Sequence, residues 1–190
     1  MNGFRRAVAE ERKSGNLCFA GLLSEHRINQ AFGEARELWQ GWIYTPAVTV
    51  WVFLAQCLSR DHSCRDAVAQ LIAWRSAGGL SACSAETGAY CTARDALPEE
   101  ACRALVRETG RATTESPQSW LWQGRNVVTG DGSTITMADT PENQAEYPQM
   151  ASQSPGCGFP IARIVVLFSL SVGTVLEAAL GPYQGKQTGE

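Results

Sequence analysis

One acidic residue is placed where it could do metal chemistry. Asp131 lies between Gly130 and Gly132 in the stretch 124–137, GRNVVTGDGSTITM, whose other residues are largely apolar or β-branched. A carboxylate suits a hard cation such as magnesium, but magnesium is held by one or two more oxygen-bearing groups besides its waters. Asp139, Glu142 and Glu146 follow in a proline-containing stretch and read as ordinary solvated acids. Two readings of Asp131 stand. Gly-Asp-Gly between two β-branched runs has the composition of a hairpin turn, whereas an uninterrupted strand would project the aspartate from its middle. Local chemistry favours the turn and leaves the strand open.

Other catalytic patterns are weak or missing from the sequence. The segment 181–186, GPYQGK, is one residue short of a phosphate-binding loop and is followed by Gln187 in place of Ser or Thr. There is no G-x-S-x-G elbow, and His26 and His62 read as surface or capping residues. The seven cysteines, Cys18, Cys57, Cys64, Cys83, Cys91, Cys102 and Cys157, include no C-x-x-C pair. With a charged N-terminus in place of a signal peptide, they read as reduced thiols of a cytoplasmic protein. The spacing of Cys57, His62, Cys64 and Cys83 fits no zinc pattern, which leaves them as buried or incidental thiols.

The elements that must position these residues fall into two kinds. Ser24 is an N-cap candidate for a helix whose apolar stripe is Ile28, Ala31, Phe32, Ala35, Leu38 and Trp39, stopped by Gly41. Thr45-Pro46 starts a second helix, apolar on all sides and therefore central, although its valines would also suit a strand. Ser63 and Asp66 form a capping-box-like start for a helix over 63–77 that ends at Gly78-Gly79. Ser84 caps a helix over 85–97, and Pro98-Glu99-Glu100 opens a last one that ends at Gly110. The polar stretch 113–119 reads as a linker, with Trp120 and Trp122 covering a junction. Beyond it the period becomes strand-like: 126–137, 161–171 and 174–180 are rich in valine, isoleucine and threonine, the last two joined as a hairpin through Val172-Gly173. Residues 138–160 read as a long ordered loop or a short helix in irregular chain. The expected class is α+β, divided into a helical domain at 1–115, a linker at 116–122 and a strand domain at 123–190.

Composition narrows the partners. At 44% hydrophobic and 18% charged the chain has the balance of a soluble globular protein, and its apolar runs 47–58 and 164–176 are shorter than the roughly 20 residues of a membrane span. A net charge of -3 gives no global attraction to nucleic acid, so any DNA contact must come from a local arrangement of side chains. Fourteen of the sixteen basic residues are arginine, the side chain suited to bidentate phosphate contacts. The helices over 63–77 and 84–97 have the proportions of a helix-turn-helix, with Arg94 and its neighbours as the DNA-facing residues; a solvated helix face is the plainer alternative.

The strings DGSTITMADTPENQAEYPQ at 131–149 and QSPGCGFPIARIVVLFSLSVGTVLEAALGPYQGKQTGE at 153–190 closely resemble the front of the catalytic domain of DDE transposases, in the bacterial insertion-sequence-four family. TPAVTVWVFLAQCLSRDHSCRDAVAQLIAWR at 45–75 and CSAETGAYCTARDALPEE at 83–100 resemble the helical N-terminal domain of the same subgroup. The resemblance implies a helical domain followed by the first three antiparallel strands of a ribonuclease-H-like domain, with Asp131 as the first of three acidic metal ligands. It implies Mg2+ or Mn2+, two ions about 3.5 to 4 Å apart that activate a nucleophile against DNA phosphodiesters. It also implies terminal inverted repeats as the DNA partner, a homodimer, and Arg65, Tyr90 and Arg94 as candidate DNA contacts. The second and third acids of the family belong to a fourth strand and a distant helix beyond position 190. The expectation is therefore one ligand of three, no catalysis by this chain alone, and a first strand left unpaired on one side. The alternative is a non-catalytic DNA-binding or regulatory product of a truncated transposase gene. Gly130 departs from the family in standing where an apolar strand residue would hold Asp131.

Overall fold

The computed structural model describes residues 23–33, 43–115 and 121–183. The expected linker positions 116–120 and the proposed helical residues Ala35, Leu38, Trp39 and Gly41 lie outside the described residues, as do Cys18, Trp120 and the stretch 184–190. The chain divides into two compact units, Met1–Leu105 and Val106–Glu190.

Capping explains most helix starts in the first unit. In α1 (Glu25–Phe32) the Ser24 hydroxyl accepts from the Arg27 amide at 3.4 Å, and Ile28 and Phe32 are buried. In α2 (Pro46–Leu58) the Thr45 hydroxyl accepts from the Val48 amide at 3.3 Å and Pro46 takes the first turn, where a missing N–H costs nothing. This run is helix, not strand. Most of its residues are buried against the other helices, and Phe53 and Cys57 remain exposed. In α3 (Cys64–Ala77) the Ser63 hydroxyl accepts from the Asp66 amide at 3.1 Å, and Gln70 donates to the Asp66 carboxylate at 2.6 Å. The fourth helix, α4 (Gly88–Asp95), is shorter than the expected 85–97. Its presumed cap, Ser84, accepts instead from the Glu86 amide at 3.1 Å, closing a local turn before the helix begins.

The core of this unit gathers Ile28, Phe32, Tyr44, Ala47, Val50, Trp51, Val52, Ala67, Val68, Leu71, Tyr90, Ala93, Ala101 and Leu105. Polar atoms inside it are paired. The Trp51 indole donates to the Leu23 carbonyl at 2.8 Å, and the buried Thr49 hydroxyl donates to the Tyr44 carbonyl at 3.2 Å.

The fifth helix, α5 (Glu99–Thr114), opens with Glu99 and Glu100, and Arg103 reaches back to Glu99 at 2.5 Å. It does not stop at Gly110, and Thr113 and Thr114, read as linker, belong to its last turn. Gly110 is buried mid-helix because α5 meets β3 (Thr174–Pro182) there. A Cβ at Gly110 would stand 2.5 Å from the Val175 carbonyl oxygen and 3.1 Å from the Leu176 Cα. The glycine is a close-approach residue and not a stop. Arg107 pairs with Glu177 of the same strand. The boundary between the two units thus falls inside α5, earlier than the polar stretch expected as the linker.

The second unit holds a three-stranded antiparallel sheet in the order β1-β2-β3, with β1 spanning Val128–Thr136 and β2 spanning Ile161–Ser169. The class is α+β. Trp122 and Arg125 pair backbone to backbone around Gln123 and Gly124, both at positive φ, a tight reversal that feeds β1. Trp122, expected to cover a junction, is exposed. Between β2 and β3 the chain turns through Gly173, at φ 66°, whose amide donates to the Ser169 carbonyl at 2.8 Å. The long connection from β1 to β2 contains α6 (Pro141–Glu146), capped by Thr140. No helix of the described residues is long and apolar enough to cross a membrane.

Candidate functional site

The strand reading of Asp131 holds. β1 runs through Gly130-Asp131-Gly132 without reversal, pairing Gly130 with Leu167, Asp131 with Val166 and Gly132 with Val165. The turn that local composition favoured does not form, because an apolar nine-residue partner, β2, offers continuous backbone pairing to the whole run. Directly paired residues share a face, so Asp131 lies with Thr129, Ser133 and Ile135 on the side of Phe168, Val166, Ile164 and Ala162. Gly130 lies on the opposite side, where a Cβ would come within 3.2 Å of the Leu167 side chain. Leu167 therefore occupies the space that an apolar residue at 130 would have filled.

Asp131 is exposed, and its Oδ1 accepts from the Gly132 amide at 2.8 Å. Of the nearby acids, Asp139 accepts from the Gln144 side-chain amide at 2.8 Å, which ties it into the connecting segment. Among the described residues no three of His, Cys, Asp and Glu gather where a metal ion would sit. A single carboxylate does not supply the ligand set that magnesium or manganese takes in a two-metal site. The described residues around Asp131 do not fit such a site.

Two glutamines that the sequence reading passed over organise the segment behind β1. Gln149 donates to the Gln153 and Ser154 carbonyls at 3.2 and 2.8 Å and accepts from the Gly156 and Gly158 amides at 3.1 and 3.2 Å. Gln144 donates to the Gly158 carbonyl at 3.1 Å and accepts from the Gln149 amide at 3.2 Å. One side-chain amide thus satisfies four backbone groups of a proline- and glycine-containing loop that has no ladder of its own. A cleft of about 700 Å³ opens beside it, lined by Asp139, Gln144, Gln149, Met150 and Pro155 among others. The signal was visible only as two glutamines flanking Tyr147-Pro148.

The proposed DNA contacts divide. Arg65 is exposed near the start of α3. Tyr90 is not at the surface at all: it is 0% exposed, and its hydroxyl donates to Gln56 Oε1 at 2.7 Å. Burial pushes that hydroxyl far above the ordinary tyrosine range, with Arg94 pulling the other way. It is a core residue, placed there because the apolar stripe of α4 faces α2. Arg94 is half-buried, its guanidinium 5.9 Å from the Tyr90 ring centroid and 3.6 Å from the Asp95 carboxylate. It also lies 3.7 Å from Cys64 Sγ, which in turn is 3.8 Å from Cys91 Sγ. His62, at φ 54°, is exposed, and its carbonyl accepts from the Gln56 side-chain amide at 2.8 Å; the residue that caps α2 is Ser59. The structure thus brings Tyr90 and Arg94 together with Gln56, Cys64 and Cys91 in a polar cluster inside the helical unit.

Comparison with protein-family models, with curated proteins and with solved structures gives no match to this chain.

Proposed function

We propose that the chain is the N-terminal part of a DDE-type transposase of the insertion-sequence-four family, supplying a helical unit that binds DNA ends and the strand that bears the first acidic residue, Asp131. The observation that carries this reading is the placement of Asp131 at the middle of a straight strand, at one edge of an antiparallel β1-β2-β3 meander. A ribonuclease-H-like domain begins in that way, and the strings around Asp131 resemble its front. In the complete family the acidic triad holds Mg2+ or Mn2+ and drives in-line phosphodiester transfer at terminal inverted repeats.

On this reading Asp131 is one acid of the family's three, and the chain by itself is expected to leave DNA uncut. The alternative for the isolated chain is a non-catalytic DNA-binding or regulatory product. Arg65, exposed on α3, is the arginine of the candidate set best placed for phosphate.

Two assays on the purified chain test these statements. Incubated with magnesium or manganese and DNA carrying the inverted repeats that flank its own gene, it leaves the DNA intact. Nicking that disappears in Asp131→Asn overturns the inactive reading. In gel shifts across a salt series it retains that DNA, and Arg65→Ala lowers the salt slope by about 1. No shift at low salt removes DNA binding from the proposal.

A further inference from the structure

Cys64 occupies the first position of α3 and Cys91 lies in α4, and their sulfurs stand 3.8 Å apart. A disulfide needs about 2.05 Å, so closing the bond moves the two sulfurs by under about 2 Å. Both residues are half-buried. Besides the Cys91 thiol, two donors converge on the Cys64 sulfur. The Arg94 guanidinium lies 3.7 Å from Cys64 Sγ, the Gln56 side-chain amide 3.5 Å from it, and the positive end of α3 begins at this residue. The attacking species in thiol chemistry is the thiolate. Cys91 is different in kind: burial and then its hydrogen bond to Cys64 push its thiol above the ordinary value.

We propose that Cys64 and Cys91 are a reversible redox pair, closed to a disulfide by hydrogen peroxide. The Cys64 thiolate attacks one peroxide oxygen; an S–O bond forms, the O–O bond breaks, and the departing hydroxide takes up a proton to become water. Cys64 is then a sulfenic acid. The Cys91 sulfur attacks the Cys64 sulfur, the S–S bond forms, the S–O bond breaks, and hydroxide leaves with the proton released by Cys91 as a second water. The two thiols lose two electrons in all and the peroxide gains them. The product ties the first turn of α3 to α4 beneath the Arg94 side chain. The pair stands whether or not the chain handles DNA.

The test uses the full chain, treated with substoichiometric hydrogen peroxide at neutral pH, alkylated and digested. Mass spectrometry should find a cross-linked peptide pair, with fragmentation assigning the bond to Cys64 and Cys91 and not to Cys83. The cross-link should form about tenfold faster than the exposed Cys57 or Cys157 is oxidised, and dithiothreitol should reverse it. In Cys91→Ser, dimedone should trap a sulfenic acid at Cys64. Arg94→Gln should slow the cross-link severalfold while leaving oxidation of Cys157 unchanged. The proposal fails if Cys64 and Cys91 stay fully alkylated while Cys57 or Cys157 oxidises, or if the cross-link joins other cysteines. The wild-type measurement needs no substitution and decides the matter even if a variant does not fold.

Discussion

The two units bury their apolar residues to very different extents. In the helical unit α2 is largely buried, and Ile28, Ala47, Val52, Ala67, Leu71 and Tyr90 are inaccessible or nearly so. In the strand unit the sheet is a single layer of three strands, and every residue of β1 is exposed. Val165 and Leu167 of β2 remain 45% and 40% exposed. Its ordered features are backbone pairing, the Gln144 and Gln149 hydrogen bonds and the docking of α5 at Gly110. A helix carries its own backbone hydrogen bonds and needs only one well-packed neighbour set, whereas a sheet completes its hydrogen bonds only when its edges are covered. The helical unit therefore draws its stability from packing and the strand unit from hydrogen bonds and one close contact.

The largest expected effect that would break this contrast is in the helical core. Leu71→Ala removes a fully buried side chain and should cost about 2–5 kcal/mol in urea unfolding. A loss within measurement error would show that the core is not closed. Next is Gly110→Ala. Helix propensity alone would stabilise α5 by about 1 kcal/mol, but the added methyl meets a strand carbonyl, and overpacking of this kind costs about 1–3 kcal/mol. The net sign should be destabilising, and amide exchange should locate the loss in β3 while the helical core stays protected.

Tyr90→Phe keeps the ring and strands Gln56 Oε1 without its donor, for about 1–3 kcal/mol. It should also alter the pH profile. A folded-state pKa raised above the unfolded value means that the unfolded chain releases its proton first. Stability is then fully present below about pH 10 and falls as pH rises beyond it. Thermal melts near pH 8 and above pH 10 should show a smaller alkaline loss in Tyr90→Phe than in the wild type. The smallest effect belongs to the open sheet face: Leu167→Ser should change stability by no more than about 0.5 kcal/mol, while lowering aggregation measured by light scattering. A loss of several kcal/mol there would mean that the face is covered in solution.

Helix starts were legible in the sequence because a cap is a local device. Ser24, Thr45 and Ser63 each bond an amide three residues on, within reach whatever the rest of the chain does. Ends and interiors were less so. Gly110 looks like a stop until β3 is placed against it, and Ser84 looks like a cap until its hydroxyl is seen closing a turn. Tyr90 is a candidate DNA contact only until its partner, Gln56, 34 positions away, is placed against it in the core. The sulfur pair could not be read at all, since Cys64 and Cys91 are 27 positions apart and no spacing rule connects them.

By itself the sequence determined the class, the caps at Ser24, Thr45 and Ser63, the central place of the apolar helix and the hairpin that joins the last two strands, all consequences of period and of short-range hydrogen bonding. Only the tertiary structure decided the state of Asp131. Gly-Asp-Gly suits a turn and tolerates a strand with little difference in local energy, and the choice was made by β2, whose nine residues pair with the run from Val128 to Thr136. The same holds for the company the aspartate keeps: ligand sets and thiol pairs are built across distant segments, so their presence or absence is settled by folding and not by neighbours in the chain.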